Sequence, residues 1–310
     1  MNNFTLIIPT HNRHNYLKRS ISYFKNLDAT VIYCDSSKKK YEGSLSTNMH
    51  YIHLPNKKFA AKVLDALQVV KTPFVSLCAD DDFILIDSLS KGISILEDNK
   101  DYKTIVGKYI SFKESFDDTF YPMYQNLPSD TNLGFNKNAE SFFKNYYQIL
   151  WAMYDKKILL KAFNIINEAN FKNDNFIEIV IGACACYDGG IRFLDEIWGV
   201  REISTQEHWG MRHKPLNSVA NLHEDSDYQS FKNLLEEKTS KGYADLVLNS
   251  YLNKQFVKKN FIKKVIPNSV KQQIVKFRNL FSQKKKPLLI TSKNEEKSLN
   301  KLSLILKNKE

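Results

Sequence analysis

The sequence predicts an α/β protein built on a mainly parallel sheet, followed by a helical, basic extension. Over the first hundred residues, short apolar runs rich in β-branched residues alternate with segments of helical spacing. Strands separated by helices of this length make βαβ units, which predicts the parallel sheet. The extension is predicted by charge. Residues 251–310 hold 16 Lys and Arg against 3 Asp and Glu, whereas residues 1–250 hold 29 against 31.

Phe4–Pro9 is the first buried strand, and His14–Phe24 is a helix with Tyr16, Leu17, Ile21 and Phe24 on one face. Thr30–Cys34 is a second strand, closed by Asp35-Ser36-Ser37, and Met49–Leu54 a third. A helix over Phe59–Val70 turns Ala60, Val63, Leu64, Leu67 and Val70 inward. Pro73–Ala79 is a fourth strand that runs straight into Asp80-Asp81-Asp82-Phe83, and Asp87 is placed to cap a helix over Asp87–Leu96. Parallel sheets bind ligands beyond the carboxyl ends of their strands. The residues just after Pro9, Cys34 and Ala79 are therefore expected to share one rim.

From 100 to 135 the pattern loosens, with Tyr109–Phe112 a strand and Pro122–Gly134 a loop. Ala139–Tyr147, Lys156–Ala169 and Asp174–Tyr187 follow as helices, Ile191–Arg201 as a strand, and the pattern is helical beyond 225. The domain divisions expected are a ligand-binding domain over 1–220, a helical basic extension over 221–282 and a flexible tail over 283–310. One short helix is expected in that tail near Leu299–Leu306.

Composition removes several classes. With 43% hydrophobic and 25% charged residues, 20 Phe and 16 Tyr, the 310-residue chain can bury a large core and is not disordered. Four cysteines are too few for a disulfide framework and read as reduced, buried thiols. No run reaches the ~18 apolar residues that a membrane-spanning helix needs. The first residues lack a basic stretch and their apolar run stops at Pro9, so no signal peptide is expected. The net charge of +11 belongs to the extension, so nucleic acid is not the expected partner. In residues 251–282 Phe, Ile and Val interleave with Lys and Arg, a pattern suited either to an anionic membrane surface or to a helical cap with a solvated basic face.

The chemistry concentrates at Asp80-Asp81-Asp82. Three carboxylates after a buried strand repel one another, and a divalent cation removes that cost. A solvated acidic turn is the simpler reading of such a triplet taken alone. Its setting changes the balance. The first strand ends Ile8-Pro9-Thr10-His11-Asn12-Arg13, the second in Asp35-Ser36-Ser37 and the fourth in Ala79-Asp80-Asp81-Asp82-Phe83. This ordered set resembles the family-2-like glycosyltransferases of the GT-A fold, in a bacterial subgroup with Ala-Asp-Asp-Asp-Phe where an Asp-x-Asp (DXD) setting is commoner. The resemblance covers residues 4–110 well and 140–215 loosely.

The resemblance implies an inverting transferase for a nucleotide-diphosphate sugar, dependent on Mn²⁺ or Mg²⁺. It implies that Pro9, Thr10, Asn12 and Arg13 hold the nucleotide, that Asp35 contacts the base and that Lys62 faces the diphosphate. Asp80 and Asp81 would meet the nucleotide sugar, and Asp80, Asp82 and a late histidine (His213, with His208 as alternative) would hold the metal. Arg201 or Arg212 would meet the leaving diphosphate. The base that deprotonates the acceptor falls in Asn173-Asp174-Asn175-Phe176-Ile177-Glu178. Glu178, interrupting an apolar run, is the preferred base, and Asp174 a candidate base or a helix cap. The family's Glu-Asp pair is absent here. Gln206-Glu207-His208-Trp209 does not match the Gln-x-x-Arg-Trp signature of processive synthases, so single additions are expected. The implied acceptor is a glycan or glycolipid of a bacterial surface polymer, and the implied location is the cytoplasmic face of the inner membrane. A nucleotidyltransferase and a non-enzymatic binder acting through the basic tail are the competing readings. The first would need a Gly-rich loop after the first strand, and Pro9–Arg13 contains no Gly.

Overall fold

A computed structural model describes residues 1–123, 126–203, 216, 222–252, 287–288 and 292–307. The first half follows the expected order: β1 (Phe4–Thr10), α1 (His14–Phe24), β2 (Thr30–Asp35), β3 (Met49–His53), α2 (Phe59–Val69), β4 (Phe74–Leu77), β5 (Phe83–Ile84) and α3 (Ile86–Asp98). There follow β6 (Tyr102–Lys113), β7 (Tyr121–Pro122), α4 (Phe135–Lys144), β8 (Met153–Asp155), α5 (Lys156–Ala169), α6 (Asn175–Asp188) and β9 (Gly190–Ile203). Helix α7 (Ser226–Lys238) and a last helix, α8 (Lys293–Lys307), complete the named elements.

Among the described residues the sheet runs β3-β2-β1-β4-β8-β6-β9-β5, with β7 on the side of β6. β3, β2, β1 and β4 are parallel, as are β6 and β9, while β8 lies antiparallel between β4 and β6. The register aligns Thr10 with Asp35 and Ile7 with Leu77, so the ends of β1, β2 and β4 form one rim. All seven residues of β1 are buried, as a central strand covered on both faces requires.

Three departures from expectation matter. β4 stops at Leu77, because Asp80 and Asp81 sit in a turn that reverses the chain into β5. β5 then pairs antiparallel with β9, Phe83 opposite Val200, and this brings the end of β9 to the acidic turn. β6 is a strand of twelve residues rather than four. Lys103, Gly107 and Lys108 break its apolar pattern, and pairing with β9 overrides that local signal. Gly199 in β9 permits the close approach, since a Cβ there would lie 2.6 Å from the Tyr109 ring. At α3, Leu85 rather than Asp87 holds the N-cap position, and Asp87 stands in the first turn, where its charge complements the helix dipole.

The chain end also differs. The helix expected near Leu299–Leu306 is present but longer and packed: α8 spans fifteen residues and buries Leu299, Leu302 and Leu306. It packs on α1 and α3. Glu295 accepts the Ile197 N–H at 2.8 Å, and the Ser298 hydroxyl meets Asp87 at 2.5 Å. The basic stretch 253–286 lies outside the described residues. Leu302, fully buried, anchors α8. Leu302→Ala should lower unfolding free energy by about 2–5 kcal/mol, measured by urea denaturation. An unchanged midpoint would mean that α8 is not part of the cooperative unit.

Candidate active site

The acidic turn between β4 and β5 is ringed by donors from distant parts of the chain. Asp80 is buried. Its Oδ2 accepts the Thr10 hydroxyl at 2.6 Å, and its Oδ1 meets Nη1 of Arg13 at 3.0 Å. The other Arg13 nitrogen, Nη2, reaches Asp81 at 2.5 Å, and the guanidinium lies 4.2 Å over the Tyr16 ring. Asp82, also buried, accepts Nε of Arg201 at 3.0 Å and the backbone N–H of Glu202 at 3.1 Å. Arg19 closes the ring from α1: it donates to Glu202 at 2.6 Å and to the Asp81 carbonyl at 2.9 Å. Thr10, Arg13 and Asp80–Asp82 are thus together at the rim, as the motif order predicts.

Burial pushes the Asp80 carboxyl up to about 6, against the pull of Arg13. Burial likewise pushes Asp82 up to about 7, against the pull of Arg201. In both carboxyls the cost of burial outweighs the arginine beside it.

Asn12 adopts a left-handed conformation (φ 54°), tolerated by its short polar side chain, and its N–H donates to the Ser37 hydroxyl at 2.7 Å. Pro9 is buried in β1 beside Cys34. Asp35 is fully buried and engaged on both oxygens. One accepts the Ser37 N–H at 2.8 Å and the Ser37 hydroxyl at 2.5 Å; the other meets His14 at 3.0 Å and the Tyr51 hydroxyl at 2.6 Å. Burial opposes its charge, but the Ser37, Tyr51 and His14 donors outweigh that, and its carboxyl lies below the usual range. Asp35 presents no open edge to a base here, since His14, Tyr51 and Ser37 occupy its two oxygens. Lys62 departs further from expectation. It is buried beneath the rim and donates to the Thr10 carbonyl at 2.5 Å and the Ser36 hydroxyl at 3.1 Å, so it braces β1 against β2 rather than projecting toward solvent.

Helix α6 leads through one tight turn into β9 and runs back against it, so α6 begins at the rim where β9 ends. Asp174 holds the N-cap position of α6 but makes no side-chain capping bond there, contrary to the cap expected of it. Glu178, one turn along, accepts the Tyr146 hydroxyl at 2.6 Å and the Gln148 amide at 2.8 Å. His208, Arg212 and His213 lie outside the described residues. Sequence reasoning missed Arg19, Gln148 and Tyr146. Arg19 had a signal, a cation on the otherwise apolar side of α1 three residues from Tyr16; Gln148 and Tyr146, in an irregular segment, had none.

A profile of the family described as glycosyl transferase family 2 matches residues 5–162, just over half of the chain. The chain belongs to glycosyl transferase family 2. The protein is accordingly a glycosyltransferase. Its fold is that of S. aureus TarS. The TarS 1–349 structure in complex with UDP-GlcNAc superposes with a TM-score of 0.56 at 15% identity, covering 88% of this chain and 78% of that one. TarS 1–349 alone gives 0.53 at 14% identity, covering 89% and 78%, and full TarS gives 0.53 at 15%, covering 87% and 46%. No curated protein matches the sequence. The family match ends before Asp174, Glu178, Arg201 and Glu202, so the parts played by these four rest on geometry.

The resemblance implies a divalent cation, and the site's chemistry suits one. Among the described residues no three His, Cys, Asp or Glu side chains converge as a ligand set. Asp80 and Asp82 are nevertheless hard oxygen donors whose charge is made costly by burial, and divalent cations commonly use one or two carboxylates and complete their shell with phosphates and water. The sign of the pH effect follows from the same burial. Carboxyls whose folded values are raised contribute stability that is full below about 3.8 and lost as pH rises through about 6 to 7. With chelator present, melting temperature should fall between pH 5 and pH 8, and Asp82→Asn should flatten that slope. Parallel melting curves for both proteins would contradict the assignment of the strain to Asp82.

Proposed function

We propose that the protein transfers a sugar, with inversion, from a nucleotide-diphosphate sugar to a hydroxyl of a bacterial surface-glycan acceptor, one residue per encounter. The observation that carries this is the buried acidic turn at the carboxyl end of β4, held by Thr10 and Arg13 from β1 and its loop and by Arg201 from β9. That arrangement offers carboxylates for a cation and arginines for phosphates at the edge where a parallel sheet takes its ligands. TarS, which shares the fold, has been crystallised with UDP-GlcNAc and with UDP, which supports a nucleotide-sugar donor.

In this reading the β1–α1 loop, fixed by Asn12 on Ser37, receives the nucleotide. Asp35 serves the base indirectly by orienting His14 and Tyr51. Asp80 and Asp82 would hold Mn²⁺ or Mg²⁺, with His213 as a further ligand, and the bound ion would offset charge on the departing diphosphate. Arg13 would turn from the carboxylates toward that diphosphate, and Arg201 would meet it from its place at Asp82.

The first turn of α6 supplies the proton acceptor. We give this role to Asp174 in preference to Glu178. Asp174 stands at the rim end of the helix, whereas Glu178 lies one turn deeper with each oxygen holding a protein donor. A general base must come within ~3 Å of the hydroxyl it deprotonates, and Glu178 already commits both oxygens to Tyr146 and Gln148. Asp174→Asn should therefore reduce turnover by roughly 10²–10⁴-fold with donor binding intact. Screening nucleotide sugars for consumption, with Mn²⁺ or with chelator, identifies the donor and provides the assay. Consumption unaffected by chelator would remove the metal from the proposal, and an active Asp174→Asn would return the base to Glu178.

We further assign residues 251–282 to an anionic membrane surface on the cytoplasmic side, where lipid-linked acceptors are elongated. The charge asymmetry between 1–250 and 251–310 supports it. Basic residues near such a surface contribute about 1 kcal/mol each, screened beyond a Debye length. Co-sedimentation with anionic vesicles should be strong at low salt, weak at high salt and lost when Lys258, Lys259, Lys263 and Lys264 become Gln. Equal recovery with neutral vesicles would remove the electrostatic surface from the account.

A further inference from the structure

An unbroken chain of hydrogen bonds joins the acidic turn to helix α6. Arg201 donates through Nε to Asp82 at 3.0 Å and through Nη1 to the side-chain amide oxygen, Oε1, of Gln148. The Gln148 amide nitrogen donates to Glu178 at 2.8 Å, and the other Glu178 oxygen accepts the Tyr146 hydroxyl at 2.6 Å. The ring of Tyr146 in turn meets Tyr251 edge-on at 5.3 Å. Four segments far apart in sequence contribute: the β4–β5 turn, the end of β9, the link between α4 and β8, and α6.

The residue types are constrained. A guanidinium only donates and a carboxylate only accepts. A side chain bridging them must accept at one end and donate at the other, and an amide does so in one orientation only. A guanidinium bonded through Nε alone can pivot about that bond; its second bond, to Gln148, fixes its plane. Glu178 fixes Gln148 in the same way, and Tyr146 fixes Glu178.

We propose that Gln148 is a positioning residue: anchored by Glu178, it sets the plane of the Arg201 guanidinium against Asp82, so that the donor-side carboxylate and the first turn of α6 are aligned as one unit. This rests on the glycosyl-transfer reading above. It gives Glu178 a purpose other than proton acceptance, and it explains why a carboxylate interrupts the apolar run of α6. Asp174 lies one turn before Glu178 on the same helix, so a shift of Gln148 is felt both at Arg201 and at the proposed base.

Exchange of the two residues tests it. Gln148→Glu places a carboxylate against Glu178 and should lower the melting temperature. Adding Glu178→Gln restores every bond in the chain. The amide introduced at position 178 can donate to the carboxylate introduced at position 148, which also accepts from Arg201, and Tyr146 still finds an acceptor. The double variant should recover most of the loss, a non-additive result. Additive losses would overturn the chain as drawn, and this readout does not depend on activity. Gln148→Leu should lower kcat by roughly 10²-fold, the cost of about 1 Å of misplacement, with the KM for the donor sugar changed less than about threefold; should it not fold, Gln148→Glu takes its place. Wild-type turnover in either variant would overturn the positioning role. If the wild-type protein consumes no nucleotide sugar, the functional reading fails while the melting cycle still decides the chain.

Discussion

Three adjacent carboxylates at the end of a buried strand are the constraint around which this molecule is arranged. Charges so placed are costly unless opposite charge or donors reach them. The chain brings Thr10 and Arg13 from the β1 end, Arg19 from α1, and Arg201 with the Glu202 N–H from β9. Thr10, Arg13, Arg201 and Glu202 reach the turn because β1 and β9 end there, and Arg19 reaches it from the middle of α1. The parallel register of β1, β2 and β4 puts the first set at the rim, and the short antiparallel pairing of β5 with β9 delivers the second.

The supports beneath the rim follow from the same requirement. Lys62 reaches under β1 and β2 to the Thr10 carbonyl and Ser36, an ammonium committed to backbone rather than to ligand. Its hydroxyl partner Ser36 also contacts His11, and Ser37 receives the N–H of left-handed Asn12. The loop after β1 is therefore pinned from three sides in the described structure, and a nucleotide placed against it would meet a preformed surface, at lower ordering cost.

How much of this the sequence discloses depends on the range of the interaction concerned. The strands and helices of the first hundred residues are legible because burial on both faces leaves continuous apolar runs, and Asp80–Asp82 stand out because three like charges rarely follow such a run without a reason. Arg13 is legible by its place in the β1 loop. Lys62 misleads: a basic residue on the helix before the turn fits a phosphate ligand, but α2 packs so closely on β1 that the side chain is enclosed. The place of Asp35 at the end of β2 is legible, yet its partners His14 and Tyr51 come from α1 and β3, and no spacing rule encodes that meeting. Gln148 lies in an irregular segment and gains meaning only from Arg201, fifty-three positions later. The length of β6 and the packing of α8 are likewise hidden, since pairing with β9 and burial of three leucines are tertiary facts.

Charge counting at the rim extends the argument to how ligands enter. In the ion pairs of the rim, Asp80, Asp81, Asp82 and Glu202 face Arg13, Arg19 and Arg201, a net of one negative charge, and burial raises the carboxyls of Asp80 and Asp82. A nucleotide-diphosphate sugar entering alone would add two more negative charges beside these carboxylates, in a partly desolvated setting where like charges repel strongly. A divalent cation entering alone would reverse the sign of the site and confront three arginines. Entering together, the two leave the net charge of the site unchanged. Arg13, the more exposed of the arginines at the aspartates, would then be free to follow the phosphates while Arg201 stays fixed between Asp82 and Gln148, an exchange of partners that needs no rearrangement of the fold. On the proposed function, the site is therefore built for a cation–diphosphate pair, and cation and nucleotide should each strengthen the binding of the other by the same factor, as linkage requires.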